Sequence, residues 1–163
     1  MRHLAHRSLL ALAVLGLALT GCAPTAVERP ATPASAPQGT DADALCAASE
    51  SGDDAVCVLE NATATDAVTF EGYRVVKLLG GRFAGPVEIR GAEQVVVAET
   101  SFSDDLTVDA KGGVVVKQSS IGGSLAIEGA RDLTLVQNSI GGDVRCADGV
   151  QVDGGMGSCT TVG

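Results

Sequence analysis

The sequence predicts an all-β fold, a parallel β-solenoid of about six 19-residue coils occupying residues 45–163 as one domain. Three observations carry this expectation. Apolar pairs recur at a fixed 19-residue register, and the members of each pair stand two residues apart, as on a strand with one buried face. The composition holds 21 glycines, one tyrosine and no tryptophan, which suits thin strands and tight turns better than a thick helical core. Four cysteines, Cys46, Cys57, Cys146 and Cys159, bracket the repeats at their two ends.

At the start of the chain, Arg2, His3, His6 and Arg7 form a basic stretch before the apolar run Ser8 to Leu19. That run is short for a permanent membrane span and reads as a secretory signal peptide over residues 1–21. It ends in Leu19-Thr20-Gly21-Cys22, which resembles the lipobox of bacterial lipoproteins. The resemblance implies cleavage before Cys22 and acylation of its thiol, with palmitate among the expected chains. Several acyl chains anchor stably where one is marginal. Ala23 stands where aspartate often marks inner-membrane retention in Gram-negative lipoproteins. The resemblance therefore implies a cell-envelope location, lipid-anchored to the outer membrane if the host is Gram-negative.

Residues 22–44 comprise this cysteine and a Pro-, Ala- and Thr-rich stretch without hydrophobic periodicity, expected to be a disordered tether. Fully extended, the part from Ala23 to Thr40 reaches about 60 Å from the lipid surface. Between Asp41 and Glu50 the pattern allows a short helix, capped by Asp41 or Asp43, that covers the N-terminal end of the solenoid.

The repeats follow. Segments begin at Phe83, Phe102, Ile121 and Ile140. A first inward pair falls at Val87/Ile89, Leu106/Val108, Leu125/Ile127 and Val144/Cys146. A second falls at Val95/Val97, Val114/Val116 and Leu133/Leu135, with Val152 continuing it. Stepping back by the same period yields Val68, Phe70, Val76, Leu78, Cys57 and Leu59, with Leu45 at a segment start. Each segment closes on a serine column, Ser101, Ser120, Ser139 and Ser158. No single coil can bury these residues, whereas stacked coils share one apolar column. A β-sandwich also accommodates short strands with glycine turns, but it does not require a fixed register. Gly122-Gly123 and Gly141-Gly142 occupy equivalent turns, where positive φ or close packing excludes a side chain.

The glycine-rich repeats resemble bacterial β-solenoids of the bactofilin or adhesin type, and small lipoproteins with Ile-Gly-Gly turns. That likeness carries no catalytic motif. Bactofilin-like behaviour would imply a self-assembling scaffold built by end-to-end stacking. Clamped, degenerate terminal coils argue against it, so a monomer is expected.

Four cysteines remain after Cys22, an even number in an exported chain, which reads as two disulfides. Three pairings are possible, and proximity in sequence favours Cys46 with Cys57 and Cys146 with Cys159. Cys57 replaces Val76 and Val95 in its column. Cys146 replaces Ile127, and Cys159 falls where Ile140 begins a coil, so both are expected to point inward at the C-terminal cap.

Composition also bounds the chemistry. Both histidines lie in the leader, which leaves the remaining chain without one for general-base or metal-ligand work. The net charge of −9 becomes two units more negative when the leader is removed with Arg2 and Arg7, which speaks against a nucleic-acid partner. An outward ladder of Glu71, Arg90, Asp109 and Glu128 is expected, the first three pairing by sign. Asp109 and Glu128 stand at a glycosidase-like spacing, but without aromatic platforms they read as solvated neighbours. Asp104-Asp105 and Asp143 read as turn formers, since Asp105 and Asp143 lie two coils apart, too far to share a calcium ion. The serine column, with Lys117 close to Ser119 and Ser120 in sequence, lacks a base in a defined pocket and reads as a hydroxyl ladder lining a turn. No enzyme activity, metal or cofactor is expected.

One outward feature remains. On the second strand, Lys77, Val96, Val115 and Thr134 align beside Leu79, Ala98, Lys117 and Val136, apolar in several places where a solvated face is polar. The expected role is a membrane-anchored, non-enzymatic envelope module that docks a protein partner on this face or serves a structural role. A carbohydrate or cell-wall polymer binding module is the alternative.

Overall fold

The computed structural model describes residues 41–47, 55–154 and 159–161. Within them the chain winds as a parallel β-solenoid. Strands β1 (Val56–Glu60), β2 (Thr63–Ala64) and β3 (Val68–Glu71) make the first coil, and β4 (Val75–Leu79), β5 (Arg82–Phe83) and β6 (Val87–Ala92) the second. The third holds β7 (Gln94–Ala98), β8 (Ser101–Phe102) and β9 (Leu106–Ala110), and the fourth β10 (Gly113–Lys117), β11 (Ser120–Ile121) and β12 (Leu125–Glu128). The fifth consists of β13 (Asp132–Val136), β14 (Ser139–Ile140) and β15 (Val144–Cys146), and β16 (Gln151–Asp153) and β17 (Thr160–Thr161) form a partial turn beyond it.

Corresponding strands of successive coils pair in parallel to give three sheets. The first runs β1-β4-β7-β10-β13-β16, the second β2-β5-β8-β11-β14, and the third β3-β6-β9-β12-β15-β17. The expected six coils are thus five complete turns and a remnant.

The 19-residue step is visible in every register of the first sheet, as in Cys57↔Val76, Val76↔Val95 and Leu133↔Val152. Because side chains alternate across a strand, this register turns one column of each pair inward along the whole stack. Val76, Val95, Val114 and Leu133 are buried from the first sheet, and Val87, Leu106 and Leu125 from the third. The short second sheet contributes Phe83, Phe102 and Ile121. The rings of Phe83 and Phe102 stack at 5.3 Å, one coil above the other. Burying each such side chain stabilises the fold by about 1.5–3 kcal/mol.

A helix, α1 (Ala42–Ala47), covers the N-terminal end. Asp41 caps it, its Oδ1 accepting the backbone N–H of Asp43 at 2.9 Å. Ala42, Leu45 and Cys46 are buried against the first coil, so the packed domain starts three residues before Leu45. The Tyr73 hydroxyl donates to Asp43 Oδ1 at 2.7 Å and ties the helix to the second coil. Cys46 and Cys57 are disulfide-bonded, as are Cys146 and Cys159.

The C-terminal end departs from the 19-residue register. Strand β17 pairs with β15 through Arg145↔Thr160 and Cys146↔Thr161, a step of 15, so Cys159 does not continue the column of Ile140 in the second sheet. Bonded to Cys146 across 13 residues, it enters β17 on the third sheet, half-buried against the core. Ser158 lies outside the described residues.

Candidate interaction face

Two kinds of turn join the strands around each coil. After each of the first five strands of the first sheet one residue adopts positive φ at the same place in the coil: Asn61, Gly80, Glu99, Gln118 and Gln137. The residue that follows turns inward, and from the third coil onward it is polar and buried: Thr100, Ser119 and Asn138. These three form a hydrogen-bonded ladder. Asn138 Oδ1 accepts the Ser119 N–H at 3.0 Å, and Ser119 Oγ accepts the Thr100 N–H at 3.2 Å. Their own donors reach strand-end carbonyls: Asn138 Nδ2 to Val116 at 2.7 Å, Ser119 Oγ to Lys117 and Thr100 Oγ1 to Ala98, both at 2.8 Å. Every buried polar side-chain atom among the described residues is thereby partnered.

The turns between the second and third sheets use side chains likewise. Asp105 Oδ1 accepts the Ser124 N–H at 2.6 Å, and Ser124 Oγ accepts the Asp143 N–H at 3.3 Å. Asp105 therefore serves its turn, and among the described residues no cluster of acids, cysteines or histidines is placed to hold a metal. The Gly122 turn has ordinary φ. Its glycine is required by approach, since a Cβ there would lie 2.5 Å from the Ser103 carbonyl oxygen. Ser101, Ser120 and Ser139 point outward on the second sheet as an exposed hydroxyl column.

The acidic and basic ladder of the third sheet differs from expectation. Arg90 does approach Glu71, with Nη1 3.7 Å from Oε2, but its close partner is Glu88 on its own strand. Nε and Nη2 donate to the two Glu88 oxygens at 2.8 and 2.9 Å. The hydrogen bond and charge of Glu88 raise the pKa of the guanidinium further, with Glu71 adding to them. Arg90 does not reach Asp109, because the register slips between Ile89↔Val108 and Ala92↔Ala110. Gly91, at φ +69°, forms this bulge and sets Arg90 and Gly91 together opposite Asp109. Asp109 and Glu128 remain neighbours on paired strands. A shallow depression of about 360 Å³ opens over Ala126, where Thr107, Glu128, Arg145 and Ala147 surround a short side chain. It has a single acid and no aromatic in its lining.

The outward side of the first sheet carries the expected residues in register. Its central column reads Val58, Lys77, Val96, Val115, Thr134 and Asp153 along the stack. The next column toward the strand ends reads Glu60, Leu79, Ala98, Lys117 and Val136. The first column reads Val56, Val75, Gln94, Gly113, Asp132 and Gln151. Lys77, Val96, Val115 and Thr134 are half-buried by their neighbours on this face. Val136 is the one large apolar side chain counted as exposed among the described residues, at 41%.

No known family, curated protein or solved structure matches this chain. The face is therefore read from its own chemistry. Its middle is aliphatic over three coils, through Leu79, Val96, Ala98 and Val115. Both cations, Lys77 and Lys117, sit within that patch and neither belongs to an ion pair among the described residues, where Arg90 makes both. Acids stand at the two ends, Glu60 on the first coil, Asp132 on the fifth and Asp153 on the partial turn beyond it. Parallel pairing also makes the sheet regular, so these side chains keep fixed spacings of about 4.8 Å along the stack.

Cys22 lies outside the described residues. None of the described helices is long and apolar enough to cross a membrane. The polar ladder and the Gly91 bulge were not foreseen from sequence. The column Ala62, Gly81, Thr100, Ser119, Asn138 was the available signal for the ladder, a 19-residue register that turns polar in its upper half.

Proposed function

We propose that this protein is a lipid-anchored envelope module that acts by binding rather than by catalysis, and that the outward face of its first sheet is the binding surface. The observation that carries this reading is the aliphatic patch of Leu79, Val96, Ala98 and Val115, held in register by parallel pairing and bearing Lys77 and Lys117, neither in an ion pair among the described residues. A patch of this kind, apolar in its centre and charged at its ends, matches the composition of protein interfaces, with their apolar core and polar rim. The lipobox at Cys22 and the stretch behind it supply anchor and reach.

The test is in-cell cross-linking of the full-length protein, affinity capture and mass spectrometry, beside a Cys22→Ser variant that cannot be acylated. Labelled palmitate is expected in the wild-type chain and absent from the variant. Cross-linked protein is expected only from the anchored chain, and Val96→Lys with Val115→Lys is expected to abolish it. Capture of wall polymer alone, or adducts indifferent to both lysines, overturns the reading.

A further inference from the structure

We propose that the occupant of this face is a second copy of the same chain, packed sheet against sheet with its coils running in the opposite sense. The inference rests on the docking reading above and names its partner.

The three outward columns and the 19-residue register decide which self-pairings are possible. Two flat faces can meet about a twofold axis along the coil stack or about one along the strands. About the stack axis each coil meets itself, which sets Lys77 on Lys77 and Asp153 on Asp153. Like charges brought directly opposite are destabilising. About the strand axis the columns are kept and the coil order is reversed. With that axis between the third and fourth coils, Val96 meets Val115 and Leu79 meets Val136. Lys77 then lies over Thr134, flanked by Asp132 on the same coil and Asp153 on the next. Lys117 lies over Ala98, the smallest side chain of its column. Each contact occurs twice by symmetry, so both apolar pairs are buried and each Lys77 meets carboxylates of the other copy, while the like charges that approach, Lys117 with Lys117 and Glu60 with Asp153, are offset rather than directly opposite. Packed sheets of this kind sit about 10 Å apart and cross at about −30°. Neither capped end of the solenoid is used, so the clamps that oppose end-to-end stacking do not oppose this pairing.

The size of the face sets the strength. Five strands about 4.8 Å apart, each about 16 Å long, cover roughly 400 Å² per copy. Twice that area falls below the roughly 1,200 Å² of a stable specific interface. The pair is therefore weak, monomeric when dilute and associated when copies are concentrated on one surface.

The test places a benzophenone amino acid at the exposed position 136 of the full-length chain and irradiates cells. A dimer-sized adduct is expected, joining position 136 to the peptide that carries Leu79 of the other copy. Lys77→Glu is expected to lower its yield by about tenfold, and adding Asp132→Lys and Asp153→Lys to restore it. Sedimentation of the purified full-length chain at rising concentration checks for the same dimer without the probe. An adduct to the Asp132 peptide instead overturns the proposed arrangement. Adducts only to other proteins, with no dimer in sedimentation, overturn self-pairing while the docking reading stands. Neither kind of adduct overturns both.

Discussion

The carboxamide of Asn138 closes two backbone groups at once: it accepts the N–H of Ser119 one coil below at 3.0 Å and donates to the carbonyl of Val116 at 2.7 Å. All of this occurs in a turn where Asn138 itself is buried. Asn138→Ala leaves a buried donor and a buried acceptor unpaired, and the expected cost is about 2–4 kcal/mol. In thermal denaturation this appears as a fall in Tm of about 10 °C or more. Ser119→Ala removes the acceptor of the Thr100 N–H, a longer bond at 3.2 Å, and the donor to the part-buried Lys117 carbonyl, and is expected to cost less, about 1–2 kcal/mol.

Gly122 and Gly113 separate close approach from mere sequence preference. Gly122→Ala places a methyl group 2.5 Å from the Ser103 carbonyl oxygen, and a loss of about 1–3 kcal/mol is expected in urea denaturation. Gly113 has open space beside it, so Gly113→Ala is expected to change stability by less than about 0.5 kcal/mol. Equal effects at the two positions would contradict the packing account of the turn.

Much of this architecture was legible in the sequence because a solenoid writes its register into spacing. Val87, Leu106 and Leu125 align 19 residues apart, and the structure buries all three and pairs their strands. The short capping helix was legible from Asp41. Features that interrupt the period were hidden. Gly72, Gly91 and Gly129 share a coil position with positive φ, but Ala110 occupies it in the coil between, where the chain turns inward without a bulge. The unbroken period therefore places Arg90 between Glu71 and Asp109, whereas the bulge takes it from Asp109 and Glu88 on its own strand holds it. The step of 15 at β17 was equally hidden, because spacing that repeats five times gives no warning of where it ends. On the candidate face, the outward columns followed from the register, but how far neighbours bury each side chain did not.

The Cys146–Cys159 bond closes the last, shortened turn, and its effect is expected to be local. Replacing both with serine costs about 3 kcal/mol by the loop-entropy relation. Amide exchange measures where that loss falls: faster exchange is expected in β15, β16 and β17, with β9 and β10 unchanged. Uniform acceleration through the coils would show that the clamp secures the whole solenoid.

The docking face is the central claim, and the most direct test compares two sets of lysines in the full-length, anchored chain by in-cell cross-linking. Val96→Lys, Val115→Lys and Val136→Lys charge the first sheet, and Thr107→Lys and Ala126→Lys charge the third, with thermal melting confirming that both variants fold. Loss of cross-linked protein from the first variant and its retention in the second is the expected result. Equal yields from both would contradict the assignment of this face.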